Sequence, residues 1–125
     1  MKGTRKILFY GDKAECLSAE DKVKMLPCFA DRLYEFRHTD SWDELETELV
    51  DWDPDLVFVM ADGAAGMEGV YLARARKPEI PICWFSDDYD FGMQSHRLDC
   101  TYFSTKPVTQ DKVSKAMKRY TQMWC

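Results

Sequence analysis

The chain has no apolar run near the roughly 18 consecutive residues that a membrane-crossing helix needs. Its hydrophobic residues, 46 % of 125, fall instead in short pieces. The opening stretch "MKGTRKILFYGD" has no apolar middle and no small-residue cleavage site, so it does not read as a secretory leader. Positive charge is not in excess either. Seventeen Lys and Arg against 22 Asp and Glu leave a net charge of −5, which repels a phosphate backbone and argues against direct nucleic-acid binding. The five cysteines (Cys16, Cys28, Cys83, Cys100, Cys125) are odd in number and scattered, without a C-x-x-C pair or a histidine at ligand spacing. That excludes a disulfide framework or a zinc module and implies free thiols in a reducing, cytoplasmic setting. His38 and His96 stand alone as surface histidines, with no Ser or Cys neighbour for nucleophilic catalysis. The "GAAG" turn, Gly63 to Gly66, lacks the Gly-Lys-Ser/Thr of a phosphate loop, which leaves a nucleotide binder without a fingerprint. Low-complexity and long like-charge tracts are missing as well. One domain over residues 1–125 remains, large enough to bury a core without a staple.

Five short apolar runs bounded by breakers are present: "KILFY" (6–10), "LYEF" (33–36), "DLVFVM" (55–60), "IPICWF" (80–85) and "CTYFS" (100–104). They read as strands, with Cys83 and Cys100 as small core residues. Helical periodicity fills the gaps. Ser41 and Glu44 form a capping-box pattern ahead of a stripe of Trp42, Leu45, Leu49 and Trp52 that predicts packing on a sheet. Thr109 is placed to cap a last helix whose Val113, Ala116, Met117, Tyr120 and Trp124 share one face. Residues 67–76 predict a third helix, with Val70, Tyr71 and Arg74 near one face, and residues 89–97 a shorter fourth. The first crossover, "KAECLSAEDKVKMLPCFADR", shows no clean stripe, and Pro27 ends or kinks any helix there. Strands alternating with helices, the central ones without polar alternation, predict an α/β doubly wound parallel sheet covered on both faces. Chemistry in such folds sits at the carboxyl ends of the strands.

Those ends carry Gly11 and Asp12, Met60 and Asp62, Ser86, and Lys106 with Pro107. Together with "KILFYGD", "PDLVFV", "GMEG", "PICWFS" and "STKPV", they resemble the receiver domain of bacterial two-component response regulators over nearly the whole chain. The resemblance implies a flavodoxin-like (βα)5 three-layer sandwich with strand order 2-1-3-4-5. It also implies a site in which two acids after the first strand bind Mg²⁺, an aspartate ending the third strand accepts a phosphoryl group, and a hydroxyl and a lysine contact that group.

Position by position, Lys106 matches the lysine, Ser86 the hydroxyl and Asp12 one acid of the pair; the other acid position is Gly11. The acceptor position falls on Met60, counted five residues beyond Asp55, or on Ala61, counted back from Gly66, a disagreement that implies an insertion in "ADGAAG"; either count misses an acid, and a thioether accepts no phosphoryl group. Asp62 lies two residues later. On an extended chain residues 60 and 62 share a side, so Asp62 could turn into the pocket as a displaced acceptor. Otherwise it caps the loop, pairs with Lys106 and fixes the pocket in one state, or points to solvent. The expectation is a pseudo-receiver that signals by phosphorylation-independent protein contacts. The alternative is an active receiver phosphorylated on Asp62 by a histidine kinase. No catalytic residue, cofactor or metal is expected under the first reading; Mg²⁺ belongs to the second, with Asp12 and Asp62 as candidate ligands.

The resemblance further places Phe103, three residues before Lys106, at the switch aromatic of the fifth strand. With Pro107 it marks the face of the fourth helix, fifth strand and fifth helix, where a protein partner or a second copy would dock. The acids of "DDYD", Asp87 to Asp90, favour the start of the fourth helix, with a replacement cation site alongside Asp12 or an acidic docking patch as the other readings.

Overall fold

In the computed structural model residues 4–27 and 33–122 are described. Five strands form one parallel sheet in the order β2-β1-β3-β4-β5, as the sequence led one to expect. The strands are β1 (Thr4–Tyr10), β2 (Leu33–Thr39), β3 (Leu56–Val59), β4 (Ile82–Ser86) and β5 (Tyr102–Thr105). The helices are α1 (Lys13–Lys24), α2 (Trp42–Thr47), α3 (Gly63–Arg76), α4 (Gly92–Arg97) and α5 (Gln110–Gln122). Every residue of β3 and β4 is buried, because helices cover both faces there, whereas β2 at one edge alternates exposed and half-buried positions.

Alternation along the strands divides the core in two. Ile7, Phe9, Phe58, Met60, Cys83 and Phe85 pack toward α1 and α5 on one side of the sheet. Leu8, Tyr10, Val57, Val59, Ile82 and Trp84 pack toward α2 and α3 on the other. The first crossover does form a helix. It stops at Lys24, ahead of Pro27, and its buried stripe is Cys16, Ala19 and Val23, residues too small to stand out as an apolar pattern.

Ser41 caps α2 through its Oγ, which accepts from Glu44 N at 3.1 Å. The return half of the box is absent, since the Glu44 carboxylate instead accepts from Thr39 Oγ1 at 2.8 Å. Past Thr47 the helix widens into a π turn over Glu48–Trp52, with Asp53 N bonding back to Glu48 O, and ends on the left-handed Asp53. Leu45 and Leu49 are fully buried as the stripe requires, but Trp42 is 43 % exposed and lies over the α2–α3 side rather than on the sheet. Tyr71, expected on the packed face of α3, is likewise 48 % exposed. In α5, Val113, Ala116, Met117 and Tyr120 are buried, and Thr109 Oγ1 accepts from Lys112 N at 3.2 Å. Trp124, Cys28 and Cys125 lie outside the described residues. No helix of the described residues is long and apolar enough to cross a membrane.

Candidate functional site

Parallel strands bring all five carboxyl ends to one edge, where the candidate residues converge. Met60 N donates to Tyr10 O at 2.7 Å and so continues the β1–β3 ladder past Val59. Its side chain, in phase with Phe58, is fully buried among the apolar residues beneath α1 and α5. The residue to which the receiver resemblance assigns the acceptor position therefore contributes to the core.

Gly11 lies against the same segment. Its φ is +153°, and a Cβ there would stand 2.9 Å from the Met60 carbonyl carbon and 3.0 Å from Ala61 N. No side chain fits while β3 ends where it does, so backbone contact leaves no room there for the second acid that the resemblance implies. Asp12 is exposed and caps α1, its Oδ2 accepting from Glu15 N at 3.2 Å. A carboxylate at a helix start is held by the free N–H groups and the helix dipole, with no cation required.

The Lys106 ammonium donates to Asp62 Oδ1 at 2.5 Å and to Glu15 Oε1 at 2.8 Å. Glu15 is the site residue that sequence reasoning missed. It lies 91 residues from Lys106, and no local pattern signals the pairing. Lys106 is mostly covered, its side chain 14 % exposed, whereas Asp62 is 58 % exposed. Although Asp62 occupies the cap position of α3, its side chain makes no capping bond there. Burial alone would lower the Lys106 pKa, but the hydrogen bonds and charges of Asp62 and Glu15 outweigh it and leave the ammonium above its ordinary value.

A lysine pKa raised on folding contributes stability that is intact below the unfolded value of about 10.4 and disappears as pH climbs through the folded one. In Glu15→Gln/Asp62→Asn, carbon-detected NMR titration of Lys106 Cε is expected to show the pKa falling relative to wild type. An unchanged titration would mean that the two carboxylates do not hold the ammonium.

Ser86 is fully buried at the end of β4, and its Oγ accepts from Asp88 N at 3.1 Å. Asp87 Oδ1 accepts from Gly63 N at 2.9 Å, tying the β4–α4 loop to the start of α3, and Asp88 Oδ1 accepts from Asp90 N at 2.9 Å. These two acids of the "DDYD" run are thus spent on loop and turn N–H groups. Phe103 is half-buried, its ring edge-on to Trp84 at 5.3 Å, and Pro107 is exposed after a cis peptide bond.

The donor set does not suit Mg²⁺. An ammonium stands between Asp62 and Glu15, Gly11 offers no ligand, and no group of three or more Asp, Glu, His or Cys among the described residues is arranged around a common point. Nor is a thiolate poised nearby. Burial, with Glu15 and Asp12 adding to it, pushes the Cys16 thiol up to about 12, burial brings Cys100 to about 12, and it raises Cys83 as well. Cys100 is half-buried just ahead of β5 rather than within it. His38, expected at the surface, is three-quarters covered and sits 2.6 Å from Glu20 Oε1.

No model of a known protein family matches the chain. Nor does any curated protein. Solved structures do. A response regulator from Thermotoga maritima superposes with a TM-score of 0.74 at 18 % identity, over 94 % of this chain and 98 % of that one. The chemotaxis response regulator CheY4 of Vibrio cholerae gives 0.70 at 15 % identity over 93 % and 98 %. The signal receiver domain of modulated diguanylate cyclase from Desulfovibrio desulfuricans G20 gives 0.66 at 18 % over 94 % and 97 %. With strand order 2-1-3-4-5 and this coverage by low-identity neighbours, the chain has the flavodoxin-like fold of response-regulator receiver domains.

Proposed function

We propose that this chain is a pseudo-receiver: a signalling module of the two-component type that works through protein contacts, without phosphoryl transfer and without enzymatic activity of its own. The observation that carries the reading is the end of β3. The acceptor position is a methionine buried in the core, while the lysine that would neutralise a phosphoryl group is already neutralised by Asp62 and Glu15. A receiver switches because new charge on the acceptor redraws the contacts of the lysine and the hydroxyl. Here both are engaged in protein contacts, Lys106 with two carboxylates and Ser86 with Asp88 N. The partner face is proposed to be that of α4, β5 and α5, bordered by exposed Met93 and by Phe103 and Pro107.

One observation favours the alternative of a histidine-kinase substrate. The Asp62 carboxylate is the most exposed member of the cluster and lies beside Lys106. Intact mass after incubation with acetyl phosphate and Mg²⁺ tests both readings, with wild type run beside Asp62→Ala and an ordinary receiver as positive control. No adduct is expected on the wild-type chain. A phosphoryl adduct lost in Asp62→Ala would overturn the pseudo-receiver reading and make Asp62 a displaced acceptor.

A further inference from the structure

A groove lies between α2 and α3, and on its α4 side Tyr71 Oη donates to Gln94 Oε1 at 3.4 Å. The groove is a shallow, open depression lined by Trp42, Glu68, Tyr71, Leu72 and Ala75. On α3 the last four follow the i, i+3, i+4, i+7 spacing of a helix face made to be covered. Trp42 on α2 stands opposite. Both aromatics are nearly half exposed, at 43 % and 48 %, and large aromatics half open on a rigid helix pair are the side chains most enriched at protein interfaces. Arg76 on α3 pairs with Glu46 on α2.

Charge identifies the occupant. Between Arg37 and Arg74 there is no Lys or Arg at all, and ten Asp or Glu; the other 12 acids share the rest of the chain with all 17 basic residues. The groove is built wholly from that acidic stretch and its immediate edge. Glu68 in its lining, Asp43 beside Trp42 and Asp40 just before it have no ion-pair partner among the described residues. The field is felt inside the protein, where burial, Glu68 and then Asp40 hold the Tyr10 hydroxyl above its usual range.

We propose that this groove docks a basic amphipathic segment of another protein, whose apolar side chains insert between Trp42 and Tyr71 while its Lys or Arg residues meet Glu68 and Asp43. The basic α5 of a second copy is a poorer fit, since it shows Lys115, Lys118 and Arg119 outward but buries Val113, Ala116, Met117 and Tyr120. The proposal goes beyond the pseudo-receiver reading and does not rest on it.

Two synthetic amphipathic helical peptides test it, identical in their Leu and Phe face and carrying either Lys or Glu on the flanks. Each is titrated into the full chain and followed by ¹⁵N–¹H NMR. The Lys peptide is expected to shift resonances at Trp42, Glu68 and Tyr71, and to weaken at least tenfold in Trp42→Ala and in Glu68→Lys. Both residues are exposed, so neither change removes core packing. Its affinity should also fall as salt is raised. Equal binding of the Glu peptide, shifts centred elsewhere, or no binding of either peptide would overturn the proposal. So would concentration-dependent self-association abolished by Trp42→Ala, since the occupant would then be a second copy.

Discussion

Met60→Asp, the change that returns a carboxylate to the end of β3, is expected to destabilise the protein by about 4 kcal/mol or more. Two effects add. The methionine is fully buried among Phe9, Phe58, Phe85 and Cys16, so truncating it leaves a cavity. The carboxyl that replaces it enters an apolar site and resists ionising, which moves its folded pKa above the unfolded value of about 3.9. The pH sign follows from that direction. The folded state then holds its proton more tightly than the unfolded chain, so, relative to wild type at the same pH, the variant's deficit is smallest near and below pH 4 and grows as pH rises toward the folded pKa. Urea unfolding at pH 5 and pH 8 measures this, with Met60→Leu as a volume-conserving control expected to lose less than about 1.5 kcal/mol. A Met60→Asp protein as stable as wild type, or one whose deficit grows toward acid, would show the new carboxylate ionised against Lys106. The end of β3 would then be an open receiver pocket, and the reading built on a buried Met60 would fail.

Gly11→Asp, which adds the second acid that the receiver resemblance implies, is expected to cost about 2–4 kcal/mol and to gain no Mg²⁺ dependence. The loss begins at Cβ. That atom would sit 2.9 Å from the Met60 carbonyl carbon and 3.2 Å from Met60 Cβ, and both belong to a segment held by the Met60 N to Tyr10 O hydrogen bond. The φ of +153° adds strain for any L side chain. Since the penalty lies in Cβ and the backbone rather than in charge, Gly11→Ala should lose nearly as much as Gly11→Asp. Thermal unfolding of both variants, with and without millimolar Mg²⁺, checks this. If Gly11→Asp matched wild type, or gained several degrees from Mg²⁺ while Gly11→Ala did not, the loop would have room for an acidic pair, and the proposed pseudo-receiver reading would lose its steric support. Under the present geometry Gly11 and Met60 crowd each other's backbone, so a carboxylate at residue 11 has no room while Met60 stays where it is.

The elements that could be read from the chain are those whose cause is local. Apolar runs between breakers marked all five strands, and Ser41 and Thr109 marked two helix starts, because a cap is a bond to a residue three positions on. The stripe of α5 was legible because its buried members are large. That of α1 was not, because Cys16, Ala19 and Val23 carry little apolar contrast. Trp42 and Tyr71 show the opposite limit. Periodicity tells which residues share a face but not whether another element covers it, and here the sheet takes Leu45, Leu49 and Val70 while the aromatics stay half open. His38 was misjudged for a related reason, since its covering partner, Glu20, comes from α1.

By itself the sequence determined which atoms the strand ends could offer. It supplies no carboxylate at residues 60 and 11, a hydroxyl at Ser86, an ammonium at Lys106 and one further acid at Asp62. Chemical identity is a property of each residue and needs no fold. Only the tertiary structure decided what those groups meet: the Lys106 ammonium between Asp62 and Glu15, the Met60 thioether in the core, and Gly11 pressed on the backbone that carries Met60. Such contacts join residues up to 91 positions apart, and they come into being when β1, β3 and β5 take their places in one sheet and bring their carboxyl ends to a single edge.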